Sequence, residues 1–381
     1  MKNIGVICEY NPFHNGHARQ LAQMRERGTA ICLMSGNFVQ RGEPALLDKW
    51  TRARAALECG ADLVLELPLT YALRSAEGFA DGGVEIFSRM GCVEELAFGR
   101  EEVDHNKIML TAKALLDEHF SAALKAELAT GRSFPAARQR ALEALGVDAA
   151  LLREPNNILA VEYCKALLRR DSAITPFMLH RDGSYHLSDD PENPSASVLR
   201  GREDWSGFVP EAALAVFAQA PRYTVAAGER AWLARLRSMT EEEFSMLPYG
   251  GEGLWCKVLR ACRTERTLED IIAASKSKRY PRTRLMRLLL CAFLGIGEET
   301  LSAPAPYVRV LAANARGQAV LRRAKKQGSV ALVNAGATPP DRTYAALERR
   351  AADLFELFRV DAPGAPNAEA RARIFRRTDG E

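Results

Sequence analysis

The chain has 381 residues, 47% of them hydrophobic and 26% charged, which suggests two or three domains of an ordinary soluble globular protein. No uninterrupted apolar run approaches the ~18 residues a bilayer span requires, and the first residues turn polar too early for a signal peptide, so no membrane partner is expected. The eight cysteines include no C-x-x-C pair, which argues against a zinc site or a disulfide framework and for a reducing, cytoplasmic compartment. The net charge is only +4, but Trp255 to Lys326 holds sixteen basic residues against five acidic ones, a distribution that reads as a polyanion-binding surface.

In chain order, the apolar run Ile4–Cys8 predicts a strand, and a turn carrying Asn11-Pro12 follows it. His14, Gly16 and His17 then open a helix that runs from about His17 to Arg27. Strand, tight turn, His-x-Gly-His and helix form a nucleotide-handling arrangement. The helix N-terminus offers backbone N–H groups and a positive dipole end to phosphate, and both imidazoles lie on one side of the first turn. Gly16 lacks a Cβ, so a base or ribose can press on the backbone. The bland alternative is one surface histidine and one core histidine.

Ala30–Met34, Leu63–Leu67 and Glu95–Phe98 read as further strands, with helices at roughly 47–59 and 76–90 between them. This alternation predicts a parallel, Rossmann-like sheet with ligands at the carboxyl ends of the strands. The unusual residues fall at those ends. Met34–Ala45 is dense in amide and guanidinium donors, which suits an anionic or base-bearing substrate as well as a plain crossover. Phe98-Gly99-Arg100-Glu101 ends a strand on a glycine where backbone can approach a ligand.

Residues 106–143 read as helical with a break near Gly131, and 156–168 as another helix, which Asn156-Asn157 cap or through which they bind a nucleotide. Ile174–Arg181 reads as a fifth strand that Pro176 pushes toward an edge. Arg181, at its end, is a candidate phosphate contact. In Pro194-Ser195-Ala196-Ser197-Val198-Leu199-Arg200, Ser195 or Ser197 caps a short helix, and the Arg200 fork can grip a departing pyrophosphate. A plain Ser-capped helix with a solvated arginine is the alternative. Beyond about Trp205 no strand is expected and helices dominate. Lys276, Lys278, Arg279, Arg282 and Arg284 surround Tyr280, so cations for phosphates flank a ring for an exposed base. A solvated basic helix entry is the alternative there. The reading is therefore a catalytic nucleotide-binding domain over residues 1–205 and a mainly α-helical, basic RNA-binding domain over 206–381.

His-x-Gly-His with a later Ser-x-Ser-x-x-Arg resembles the nucleotidylyltransferase superfamily related to class I aminoacyl-tRNA synthetases. The segments 9–17, 34–44, 62–68 and 156–160, with Arg279–Arg284, resemble more narrowly the bacterial tRNA(Met) cytidine acetate ligase family, over most of residues 1–300. The resemblance implies an α/β fold of the HIGH nucleotidylyltransferase type. It implies ATP-dependent activation of acetate to acetyl-adenylate, then transfer to N4 of the wobble cytidine in the anticodon loop of elongator tRNA(Met). It also implies an ATP site on Ile7, Cys8, Glu9, Tyr10, Asn11, Pro12, Phe13, His14, Asn15, Gly16, His17, Ala18, Arg19 and Gln20, with Gly99, Asn156 or Asn157, and Arg181, to which the 194–200 motif adds Ser197 and Arg200. Arg100 departs from the small residue expected after the glycine.

On this reading His14, His17 and Arg200 are catalytic, stabilising the transition state and the leaving pyrophosphate. Mg²⁺ is expected to bridge phosphates with few protein ligands, and no resident metal or DNA partner is expected. Lys276, Lys278, Arg279, Tyr280, Arg282 and Arg284 are expected to touch tRNA. Two other classes stay open. A small-molecule adenylyltransferase has no need of the basic region, and a non-catalytic RNA-binding protein has no need of the two phosphate motifs.

Overall fold

The apolar run near the start of the chain becomes the middle of a sheet, buried throughout except at Lys2. In the computed structural model, which describes residues 1–101, 104–180 and 194–377, the strands are β1 (Lys2–Cys8), β2 (Gly28–Ser35), β3 (Phe38–Val39), β4 (Glu43–Pro44), β5 (Leu63–Leu67), β6 (Glu95–Arg100), β7 (Thr175–His180), β8 (Tyr307–Ala313), β9 (Ala331–Asn334) and β10 (Phe375–Arg376). β3 and β4 form a small hairpin of their own. The other eight strands make one sheet in the order β10-β8-β5-β2-β1-β6-β7, with β9 also paired to β8.

From β5 to β7 all neighbours are parallel. The helices Asn15–Arg27, Lys49–Glu58 and Ala76–Met90 supply the crossovers that parallel pairing requires. They cover both faces of the sheet, which is why its strands read as unbroken apolar runs rather than alternating ones. Pro176 lies in β7, the outermost strand on its side, where a missing N–H costs no ladder bond. The strand order reverses at β1: β2 and β5 lie on one side, β6 and β7 on the other. The crevice between the carboxyl ends of β1 and β6 is therefore the topological switch point, the place where such sheets bind ligands.

Each sheet face has its own apolar core. Ile7, Leu33, Phe87 and Val161 pack on one face, and Ile4, Tyr10, Phe13, Leu21 and Trp205 belong to the other. A third cluster, with Trp232, Phe244, Leu288, Phe355 and Phe358, holds together the helices between Val225 and Phe355.

The expectation of no strand after residue 205 is corrected by β8. It runs antiparallel to β5 and is buried at all seven residues. Its apolar run is interrupted by Arg309, and that charge hid it. Arg309 lies in a buried ion cluster: it is 2.7 Å from Glu348 and 2.8 Å from Glu369. Lys49 is 2.7 Å from Glu66 and 2.8 Å from Glu369 in the same cluster. Tyr307 donates to Glu348 at 2.5 Å. Burial pushes the Glu66 carboxyl up to about 7 against the pull of Lys49, with Glu369 and Glu348 adding to the rise. The sheet thus takes strands from both sides of residue 205.

Candidate functional site

After Cys8 the chain turns through Tyr10, whose φ is 48°. Tyr10 and Phe13 are buried with their rings edge-on, centroids 4.9 Å apart. Asn11 Oδ1 accepts from the Leu46 N–H at 2.8 Å. Arg52, fully buried, donates to the carbonyls of Leu47 (2.9 Å), Glu9 (2.5 Å), Ser35 (3.1 Å) and Gly36, and so ties the ends of β1 and β2 together. Burial pushes its guanidinium down to about 10. The turn is held from inside, and what it presents outward is fixed.

It presents two histidines. His14 caps the helix Asn15–Arg27, its Nδ1 accepting from the Gly16 N–H at 3.1 Å, while His17 Nδ1 accepts from the His14 N–H at 3.3 Å. This is a capping box built from imidazoles. An Nδ1 that accepts carries no proton, so each neutral ring holds its N–H at Nε2, on the far side from the helix. The rings stack with centroids 3.8 Å apart. A Cβ on Gly16 would lie 2.9 Å from His14 Cε1. The room this glycine makes is filled by the ring of His14, not by a base or ribose.

Arg200 joins the second motif to the first. It donates to the Asn11 carbonyl at 2.9 Å and to Ser197 Oγ at 3.1 Å. Of the two serines, Ser195 is the cap, accepting from the Val198 N–H. Ser197 steadies the guanidinium instead.

A cavity of about 890 Å³ opens at the switch point, lined by His14, His17, Ser197 and Arg200. Ile7, Cys8, Glu9, Tyr10, Asn11, Asn15, Gly16, Arg19, Gln20, Gly99 and Asn156 also line it. Gly99 has no atom within 4 Å of where a Cβ would stand. Glu9 accepts from the Gln40 N–H at 2.7 Å, and burial pushes its carboxyl up. Pro12, Phe13, Ala18 and Asn157 are not in the lining. Phe13 and Ala18 belong to the core beneath the turn. Asn157 is fully buried and accepts from the Glu101 N–H at 3.0 Å, while Asn156 donates to the Glu101 carboxylate at 2.6 Å. Arg181 lies outside the described residues. Arg100 donates to the Glu101 carbonyl at 3.4 Å and is absent from the lining.

The basic region does not form one surface. Arg309 is interior, and Arg316 donates to the Gly28 carbonyl at 2.6 Å, at the amino end of β2 and so away from the cavity. Lys276, Lys278, Arg279 and Arg282 are exposed, and Tyr280 and Arg284 half-buried. Arg279 and Arg282 each meet a carboxylate at 2.6 Å, Glu252 and Glu269. The Arg284 guanidinium lies 5.1 Å from the Tyr280 ring centroid, where an exposed base was expected to stack. Thr283 and Arg287, which sequence reasoning passed over, line the cavity. Their four-residue spacing in the helix Arg282–Leu294 was the available signal.

The cavity therefore combines paired imidazole donors at a helix N-terminus, a guanidinium fork, and a glycine-floored apolar end. It suits a nucleoside triphosphate, with room for a second reactant. The family model for HIGH Nucleotidyl Transferase matches residues 1–367. The chain is 35% identical to the tRNA(Met) cytidine acetate ligase of Clostridium acetobutylicum over 361 residues, covering 87% of this chain and 90% of that one. It is 36% identical to the protein of the same name from Halothermothrix orenii over 366 residues, covering 87% of each. It superposes on Thermotoga maritima TmcAL bound with alpha-thio ATP with a TM-score of 0.89 at 27% identity, covering 99% of this chain and 100% of the other.

Proposed function

We propose, for a chain that belongs to the HIGH nucleotidyl transferases and among them to the tRNA(Met) cytidine acetate ligases, that it activates acetate with ATP and acetylates N4 of the wobble cytidine of elongator tRNA(Met). An acetate oxygen attacks the α-phosphorus in line, the bond to the bridging oxygen breaks, and pyrophosphate leaves. The cytidine N4 amine then attacks the acetyl carbon, loses a proton, and AMP departs with the electron pair of the broken C–O bond. Both steps ask for positioning and charge stabilisation. The His14 and His17 Nε2–H groups are assigned to phosphate oxygens and the Arg200 fork to the departing pyrophosphate. Gly99 and the apolar wall beside it are assigned to adenosine. The observation that carries this reading is the Arg200–Asn11 hydrogen bond, which brings two phosphate motifs 189 residues apart onto one cavity.

Mg²⁺ is part of the proposal as a companion of the triphosphate. Among the described residues no group of three or more His, Cys, Asp or Glu side chains forms a metal site, so phosphate oxygens and water would supply most of its ligands. ATP and tRNA are cytoplasmic molecules, so a cytoplasmic location is proposed too; no described helix is long and apolar enough to cross a membrane.

The deciding experiment is mass analysis of the products from ATP, acetate and bulk tRNA. AMP together with N4-acetylcytidine is expected. Adenylylation of a small molecule without acetylcytidine would assign the chain to the alternative adenylyltransferase class. Two variants test the assignments. Arg200→Lys keeps the charge but loses the fork, and is expected to lower acetate-dependent pyrophosphate exchange by about 10–100-fold; equal activity would make Arg200 an ordinary helix-end residue. Replacing Lys278, Arg279 and Arg282 together with alanine is expected to weaken tRNA binding and flatten its salt dependence by about two to three units. Unchanged binding would move the RNA surface elsewhere. A parallel loss of exchange in a folded protein would refute the division of labour at residue 205.

A further inference from the structure

Among the described residues five cations are buried: Lys49, Arg52, Lys165, Arg287 and Arg309. Four are satisfied. Lys49 and Arg309 meet carboxylates within 2.8 Å, Lys165 meets Glu162 at 2.5 Å, and Arg52 is ringed by carbonyls. Arg287 is the exception. It is 8% exposed, yet no described carboxylate pairs with it. Its Nε has no hydrogen-bond partner, one Nη reaches the Gln40 carbonyl at a long 3.4 Å, and the neutral Tyr249 side chain is its other polar neighbour. The Tyr249 ring centroid lies 5.0 Å from its guanidinium carbon. Burial pushes its pKa down and the Arg284 charge adds to the fall, against the pull of Tyr249 and Cys291. An unpaired buried cation is costly unless an anion joins it.

The location says which anion. Arg287 and Thr283 lie four residues apart on the helix Arg282–Leu294, and both line the cavity. That helix follows the exposed cations Lys276, Lys278 and Arg279 and begins with Arg282, so cationic side chains, of which Arg279 and Arg282 are paired with Glu252 and Glu269, run from the surface inward to Arg287. The β3–β4 hairpin is pressed against the same helix: a Cβ on Gly42 would lie 2.6 Å from the Arg287 nitrogen. The triphosphate-facing groups His14, His17 and Arg200 belong to other elements, the first helix and the 194–200 segment.

We propose that Arg287 binds a backbone phosphate of the single-stranded acceptor RNA, next to the cytidine inserted into the cavity, so that the helix Arg282–Leu294 is the acceptor-nucleotide wall of the site. The proposal rests on the acetate-ligase reading and deepens it. Thr283, one turn toward the surface, is within the same track and offers a hydroxyl to the neighbouring sugar or phosphate. RNA single strands allow a base to be splayed out while the backbone is held beside it.

The test uses the full chain with an anticodon stem-loop RNA. In Arg287→Gln, transfer kcat/KM for the RNA is expected to fall about 10–100-fold, at least tenfold more than acetate-dependent pyrophosphate exchange falls. The salt slope of stem-loop binding, measured without ATP, is expected to drop by about 0.7. Arg287→Lys is expected to keep the salt slope while losing part of the transfer rate, and it carries the test should Arg287→Gln not fold. Equal losses in exchange and transfer would put Arg287 on the ATP or acetate side and overturn the proposal. Unchanged transfer and unchanged RNA binding would make it a structural cation and overturn the proposal as well. A wild-type protein that neither exchanges pyrophosphate nor acetylates RNA would refute the acetate-ligase reading instead; the stem-loop titration would still judge Arg287.

Discussion

His17→Ala is expected to slow acetate-dependent pyrophosphate exchange by about 10²–10³-fold, the usual cost of one donor aimed at transition-state charge. The His14 N–H fixes His17 Nδ1 as an acceptor, which leaves Nε2–H as the donor toward the cavity. The stacked neighbour at 3.8 Å holds the plane of the ring. The loss should appear in kcat more than in the KM for ATP, because charge on the bridging oxygen grows only as pyrophosphate departs. Losing this half of the capping box should cost the fold only about 1 kcal/mol. A large rate loss with a near-normal melting curve is therefore the expected pair of results. Exchange near the wild-type rate would remove His17 from the chemistry.

Arg309→Met should destabilise the protein by about 3–5 kcal/mol, the range seen when one partner is deleted from a buried charge pair. Two cations and three carboxylates share that interior cluster, so removing Arg309 leaves Glu66, Glu348 and Glu369 with Lys49 alone. Adding Glu348→Gln and Glu369→Gln to the variant should recover much of the loss, because the stranded charges go with their partner. Urea unfolding of the three proteins measures both effects. A loss below about 1 kcal/mol would mean that water reaches the cluster and the charges are not stranded.

The first hundred residues were legible because strands covered on both faces by helices show as short apolar runs between turn residues. Leu63–Leu67 is located to the residue, and the helix expected at roughly 76–90 is Ala76–Met90. The pairing of His14 with His17 was legible from their spacing, whereas its role as a reciprocal cap, and the reason for Gly16, needed coordinates. Within the contiguous stretch 7–20 the sequence does not separate lining from anchor. Tyr10 does both, while Phe13 and Ala18 face the core. β8 escaped because Arg309 interrupts its pattern, and a charge inside an apolar run reads as an exposed one until its buried partners are known. Arg287 escaped for the same reason, within the run Leu285–Leu294.

The pairing of β5 with β8 has a consequence for how the protein is made. Leu63 lies beside Ala313, 250 residues later in the chain. At the usual pace of a ribosome, tens of seconds separate the synthesis of those two strands. Through that interval the outer edge of β5, an apolar strand with a row of open N–H and C=O groups, has no native partner and is a target for wrong pairing. The sheet is completed only after the helix bearing Thr283 and Arg287, which line the cavity, has left the ribosome.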